Sequence, residues 1–326
     1  MSMLTLKRFV TLTLMVLFLS ACTSEKEQMA KIIEHQSDVT DNALKKLKQD
    51  LENQRIRNAS ILTAYATQLS EKRPELKPLM DQLATDATIE GPLYKSLVKR
   101  VKDAETAAVV SLDQHAHLAE LEAIADAAKA SVFNDALSDP INVIADLSEG
   151  TLSRVNSISR AAEIAANGAE NFGAGAQMMG NPNYGQWRTD SSGMSFWEWY
   201  GMYALFSNLF DDRRYYYSNW SQRRGYSYYN DYGRDRYTSP RQRKASEATY
   251  NRTKKSFASR GKTFTGPYSK RRVGSSSLSR SSNTATTRSS FSKRSSASST
   301  ASRSSYSSGN VRNSSSRTSR SYSRGK

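Results

Sequence analysis

Cys22 is the one thiol in a chain of 326 residues, and His35, His115 and His117 are its three histidines. With the carboxylates, those four side chains bound the nucleophilic or metal chemistry open to the chain. On a helix His115 and His117 point about 200° apart, so they cannot share a metal ion. Asp113 with His117, or His117 with Glu120, would pair at helical spacing, but a solvated helix face outranks a metal or catalytic role there. The other carboxylates are interleaved with lysines as they are on exposed helix faces. The sequence offers no nucleophile-base-orienter set and no cluster of metal ligands, so neither catalysis nor a cofactor is expected.

Residues 1–22 position the thiol. Lys7 and Arg8 precede an apolar run over residues 9–19, about a dozen residues where a membrane-spanning helix needs roughly 20. A basic start, a short apolar stretch and small residues at Ser20 and Ala21 make up a secretory leader, removed on export. Leu19-Ser20-Ala21-Cys22 closes that leader. In these four residues the chain resembles bacterial lipoproteins, whose lipobox has the form Leu-Ser/Ala-Ala/Gly-Cys.

That resemblance implies cleavage between Ala21 and Cys22, a diacylglycerol on the Cys22 sulfur and an acylated (palmitate-type) new amino terminus. Two or three chains hold a protein durably, because each buried methylene contributes about 0.8 kcal/mol. Thr23, where an aspartate would retain a lipoprotein at the inner membrane, implies the outer membrane facing the periplasm. A plain secreted protein with a free thiol, or an unprocessed leader, is the alternative. With Cys22 acylated no disulfide forms, and the exported fold is held by packing alone.

Charge divides the remainder. Residues 22–212 carry 18 Lys+Arg against 28 Asp+Glu, a balance of −10, while residues 213–326 carry 27 against 3, a balance of +24; Lys7 and Arg8 bring the total to +16. Two physically different halves follow, free to attract each other or neighbouring copies. We read the organisation as a leader over 1–21, an acidic helical domain over 22–170, a Gly/aromatic-rich segment over 171–238 and a basic Ser/Arg-rich tail over 239–326. The fold class expected is mostly α: a small helical bundle or extended helical hairpin, then an aromatic-rich irregular segment and a disordered tail.

Leu44, Leu47 and Leu51 repeat at 3-4 spacing, and Ile61 or Leu62, Tyr65 and Leu69 resume the stripe, predicting an amphipathic helix. The polar interval around Gln54 and Asn58 favours antiparallel packing in a bundle over a long coiled coil. Pro74 and Pro78 interrupt, a short helix carries Leu76, Leu79, Met80 and Leu83, and Gly91 is expected to close it in a left-handed conformation. Pro92 suits the first position of the next helix, which carries Leu93, Leu97, Val98 and Val101. Asp139 is the candidate N-cap of a helix starting at Pro140, with Gly150 a kink or break and Gly168 a stop.

All 4 tryptophans fall between Trp187 and Trp220. Residues 195–210 are nearly uncharged, and we expect a helix there, with Phe196, Trp197, Trp199, Tyr200, Tyr203, Phe206 and Phe210 as docking residues. At about 22 Å it is too short to cross a hydrocarbon core. It either completes the core of the bundle, lies in a membrane interface or fills a groove on a partner protein. The Tyr/Arg alternation over 213–237 suits stacking combined with anion pairing, or self-association. The run over 181–237 is similar to that of uncharacterised proteobacterial envelope lipoproteins, a likeness that implies no activity.

Past Glu247 no acidic residue occurs, and the few apolar residues cannot offset the entropy of ordering. Arg271, Arg272, Arg294, Arg303 and Arg320 stand for the polyanion-binding cations of this tail. Its Ser/Arg runs look like those of RNA-processing proteins, but an exported tail does not meet cellular nucleic acid. Lipopolysaccharide phosphates, acidic polysaccharide, peptidoglycan carboxylates and extracellular DNA are the expected partners, bound multivalently and with strong salt dependence. The functional expectation is a non-enzymatic, lipid-anchored envelope protein. An accessory subunit of a membrane secretion, transport or stress-response complex is the alternative.

Overall fold

The computed structural model describes residues 3–268 except 111–112, 158, 160, 162–163, 166–167 and 210–213, with side chains from residue 25 onward other than 107–110. The described residues all belong to one unit, Met1–Ala285. The protein is mostly α, with one small two-stranded sheet. Among the described residues no helix is long and apolar enough to cross a membrane.

Helix α1 (Met3–Glu52) is followed, across a tight turn, by α2 (Arg57–Lys72). The polar interval that breaks the leucine stripe is the turn between them. Gln54 adopts φ 55, and Arg55 N–H returns to the Asp50 carbonyl at 2.8 Å. Asn58 then fixes α2 to a distant part of the chain: its backbone N–H donates to Asn134 Oδ1 at 2.9 Å and its side-chain amide donates to the Asn134 carbonyl at 2.7 Å. A helix start leaves backbone N–H groups without intrahelical acceptors, and Asn134 supplies one from outside.

A 3-10 turn at Pro74–Leu76 leads into α3 (Lys77–Ala84), which buries Leu79, Met80 and Leu83. Gly91 is not left-handed, contrary to expectation. Backbone crowding requires it instead, since a Cβ there would lie 2.5 Å from both Asp86 Cα and the Thr85 carbonyl oxygen. Pro92 opens α4 (Pro92–Val110) as expected, with Leu93, Leu97, Val101 and Ala104 facing inward. Asp113 caps α5 (Gln114–Ala127), accepting from Ala116 N–H at 3.0 Å. Helix α5 packs against both α1 and α4, and Thr40 of α1 donates to the Leu121 carbonyl at 3.1 Å.

After α6 (Ala130–Ala136) comes α7 (Ser138–Leu147), whose residues are buried on nearly every side. Such a helix must be central, and α7 packs on α2 and on the turn at Ala174–Met178. It ends where Glu149 and Gly150 both take positive φ, so Gly150 marks a break. Asp139 does not cap it. Leu137 occupies the N-cap position, and the Asp139 side chain reaches a segment about 90 residues away.

The expected helix over 195–210 is not one helix. Strands β1 (Gly185–Thr189) and β2 (Ser195–Trp199) form an antiparallel hairpin with Trp187 opposite Trp197. Ser195, Trp197 and Trp199 are buried while Phe196 and Glu198 are half-buried, a period of two that only a strand satisfies. A 3-10 turn (Gly201–Ala204) and the short α8 (Leu205–Leu209) follow. Next come α9 (Tyr217–Arg223), a π turn (Tyr229–Gly233) and α10 (Arg234–Tyr237).

The tail read as structureless from residue 239 instead begins with α11 (Pro240–Ala258). Ser239 and Gln242 form a reciprocal capping box at its start, with Pro240 in the first turn. Residues 269–326 of that tail lie outside the described residues.

Candidate functional site

The aromatic residues assemble into a single cluster continuous with the helical core. Trp187 sits at its centre, with ring centroids 5.0 Å from Trp197, 4.9 Å from Tyr217 and 5.0 Å from Trp220. Trp199 bridges Trp197 to Phe206. Edge-to-face and tilted pairs of this kind each contribute about 0.5–1.5 kcal/mol beyond their area. The glycines around the cluster are small because rings take the space: a Cβ on Gly180 would meet the Trp220 ring at 2.8 Å.

Two buried carboxylates hold this aromatic part to the helices, and among the described residues neither forms an ion pair. Asp86 accepts from the Tyr184 hydroxyl at 2.8 Å and from Leu93 N–H in the first turn of α4 at 3.3 Å. Asp139 accepts from Tyr228 N–H at 2.8 Å, Tyr229 N–H at 2.9 Å and the Ser227 hydroxyl at 3.0 Å. Burial pushes each carboxyl up to about 7 despite these donors, and the Asp231 charge adds to the rise at Asp139. Burial likewise holds the Tyr184 hydroxyl well above its ordinary range, so it remains a donor to Asp86.

Buried cations are paired. Arg100 donates to Glu120 at 2.7 Å and also reaches the Arg236 carbonyl, while Arg236 itself donates to Asp126. Arg224 pairs with Asp231 and donates to the Pro267 carbonyl at 2.8 Å. Arg234 lies 3.9 Å over the Tyr268 ring. The segment 259–268 is thereby drawn back onto the fold, and Phe264 packs 5.1 Å from Phe257, 5.7 Å from Tyr250 and 6.2 Å from Tyr217.

Helix α11 is thus anchored by its inner face, where Thr249 and Thr253 are buried. Its outer faces carry Arg241, Arg243, Lys244, Arg252, Lys254 and Lys255, all exposed, against the single acid Glu247. Arg252 also donates to the Thr189 hydroxyl on β1. An ordered cationic surface on a rigid element is the strongest candidate site among the described residues. Its signal was present in the sequence as Ser239-Pro240-Arg241-Gln242, the capping-box spacing behind a helix-starting proline.

The residues picked from sequence are distributed differently. Ala21 and Cys22 lie in the backbone of α1, their side chains outside the described set. Trp197, Trp199, Tyr203 and Phe206 are core residues, so the docking role expected of them is replaced by packing. Phe196 is half-buried beneath the Arg214 guanidinium, 5.1 Å from its ring centroid. Among the described members of that set Tyr200 is left exposed, at 40%. Phe210 lies outside the described residues, as do Arg271, Arg272, Arg294, Arg303 and Arg320. Glu120 belongs to Arg100 and not to His117, and Asp113 is a helix cap. Among the described residues no group of His, Cys, Asp and Glu side chains is placed to hold a metal ion.

Comparison with family models, with characterised proteins and with solved structures finds no match to this chain.

Proposed function

We propose that this chain is a non-enzymatic, lipid-anchored protein of the bacterial envelope. Acyl chains on Cys22 hold it to the outer membrane facing the periplasm, and its cationic C-terminal part engages anionic envelope polymers such as acidic polysaccharide, lipopolysaccharide or peptidoglycan. The observation that carries this reading is the separation of charge, with α11 displaying exposed cations at the head of a stretch lacking acidic residues after Glu247. Leu19-Ser20-Ala21-Cys22 supports the anchor. Replacing Cys22 with Ser and following membrane fractionation tests the first half. Full retention of the variant in membranes would remove lipid from the account. Titration of the full chain with each polymer across a salt series tests the second half, where salt-insensitive binding or none would remove the polyanion.

A second reading, an accessory subunit of a membrane secretion, transport or stress-response complex, is favoured by one observation. Tyr200, Met202 and Leu209 are exposed at 40%, 43% and 36% on one short stretch next to the aromatic core. Crosslinking in native membranes decides it: a stoichiometric protein partner that survives high salt favours this reading over polymer binding.

A further inference from the structure

We infer that one face of α11 is a docking strip for a single strand of a carboxylated glycan, an inference that rests on the polyanion reading above and gives it a location. At 100° per residue, Arg241, Lys244, Arg252 and Lys255 fall within an arc of about 80°. They form an Arg-x-x-Lys pair repeated eleven residues on, so the two pairs stand about 16 Å apart and the strip runs about 21 Å along the axis. All four are exposed, and among the described residues none forms an ion pair with a carboxylate. Between the pairs the same face carries Ala248, with Ala245 at one border and the neutral Asn251 at the other, so no further charge or ring lies within the arc. Glu247 lies outside the arc, about 60° beyond Lys244.

This arrangement distinguishes among polyanions. A helix that lies in a bilayer interface needs free bulky apolar side chains to enter it. Those of α11, Tyr250 and Phe257, are turned onto Phe264 and belong to the fold. Single-stranded nucleic acid is held by aromatic rings interleaved with the cations, and the strip presents no ring. A line of cations one side chain wide, over small residues, fits one extended chain with an acid on successive sugars. Because Arg252 is also tied to Thr189 and the helix is capped, the backbone that carries the strip is ordered before the polymer arrives.

The test uses the full chain in detergent, titrated with polygalacturonate, with single-stranded DNA and with vesicles containing anionic phospholipid. Replacing Arg241, Lys244, Arg252 and Lys255 with Gln should weaken polygalacturonate binding at least tenfold and lower the salt slope by about 2–3, from a per-contact slope of about 0.7 on a single strand. The off-strip pair R243Q/K254Q removes half as many charges and should change affinity less than twofold. A variant that keeps Arg252 covers the case in which the fourfold change disturbs the fold. The strip is overturned if the fourfold variant binds polygalacturonate as the parent does, or if the parent prefers DNA or vesicles to the glycan. Binding that survives the strip substitutions but is abolished by ending the chain after Tyr268 overturns the strip and leaves the polyanion reading standing. Absence of binding by the parent to all three overturns both.

Discussion

Tyr184 donates its hydroxyl hydrogen to the Asp86 carboxylate at 2.8 Å, joining the start of the aromatic segment to the turn before α4 across 98 residues of sequence. Both groups are buried, and without the phenol Asp86 would keep only the longer bond from Leu93 N–H. The Tyr184→Phe variant should therefore lose about 1–3 kcal/mol of stability although it removes a single oxygen. Urea denaturation measures this, and a loss below about 0.5 kcal/mol would show that the bond contributes little.

Asp86 and Asp139 give stability an unusual pH dependence. Each has a folded value of about 7 against an ordinary 3.8, so between those values the folded state binds more protons than the unfolded one. Their contribution is fully present below 3.8 and is lost as pH rises through about 7. Paired carboxylates elsewhere act in the opposite sense, so the informative quantity is a difference. The stability of the parent minus that of the D86N/D139N variant should fall as pH rises over this window; a flat or rising difference would contradict the assignment.

Gly180 combines a left-handed φ of 83 with ring atoms of Trp220 at 2.8 Å and Asn230 Oδ1 at 2.9 Å from where a Cβ would stand. Substitution by Ala strains the backbone and pushes on the aromatic cluster together, at a combined loss of about 2 kcal/mol or more. Tryptophan fluorescence should shift along with the midpoint, since the Trp220 ring packs tilted against Trp187. An unchanged emission spectrum with an unchanged midpoint would count against the close approach.

The Arg100–Glu120 pair is buried on both sides, with exposures of 3% and 9%. Removing only the carboxylate, as in E120A, should cost about 3–5 kcal/mol because a guanidinium stays behind without its counter-charge. The apolar double variant R100M/E120L should recover most of that loss. If both variants are equally destabilised, the Arg100 bond to the Arg236 carbonyl, and not the ion pair, is the dominant contact.

The boundary of the folded unit is testable by truncation. A chain ending after Tyr268 keeps α11, Phe264 and the Pro267 carbonyl that Arg224 uses, and should retain the denaturation midpoint of the full chain. Ending the chain at Thr238 removes buried Thr249 and Thr253 and uncovers Tyr217, a loss of at least about 3 kcal/mol. Equal midpoints for the two truncations would return the boundary to residue 239.

The sequence by itself determined what local rules govern. Leucine spacing and prolines marked α2, α3 and α4, with Pro92 at the first helical position. The polar interval around Gln54 and Asn58 marked the end of the first leucine stripe, and residue counting alone separated the acidic front from the basic rear. Only the tertiary structure decided who meets whom. Residues 195–199 became a strand because β1 offers a partner and the core accepts alternate side chains, whereas their apolar run also fits a helix. Asp139 left its own helix start for the backbone at Tyr228 and Tyr229, a choice that depends on a segment about 90 residues away. The start of α11 is legible in its capping box, but that Phe264 folds back on Tyr250 and Phe257 is a contact no local propensity encodes. Local periodicity is written in the chain, while long-range contact depends on which surfaces the rest of the fold leaves open.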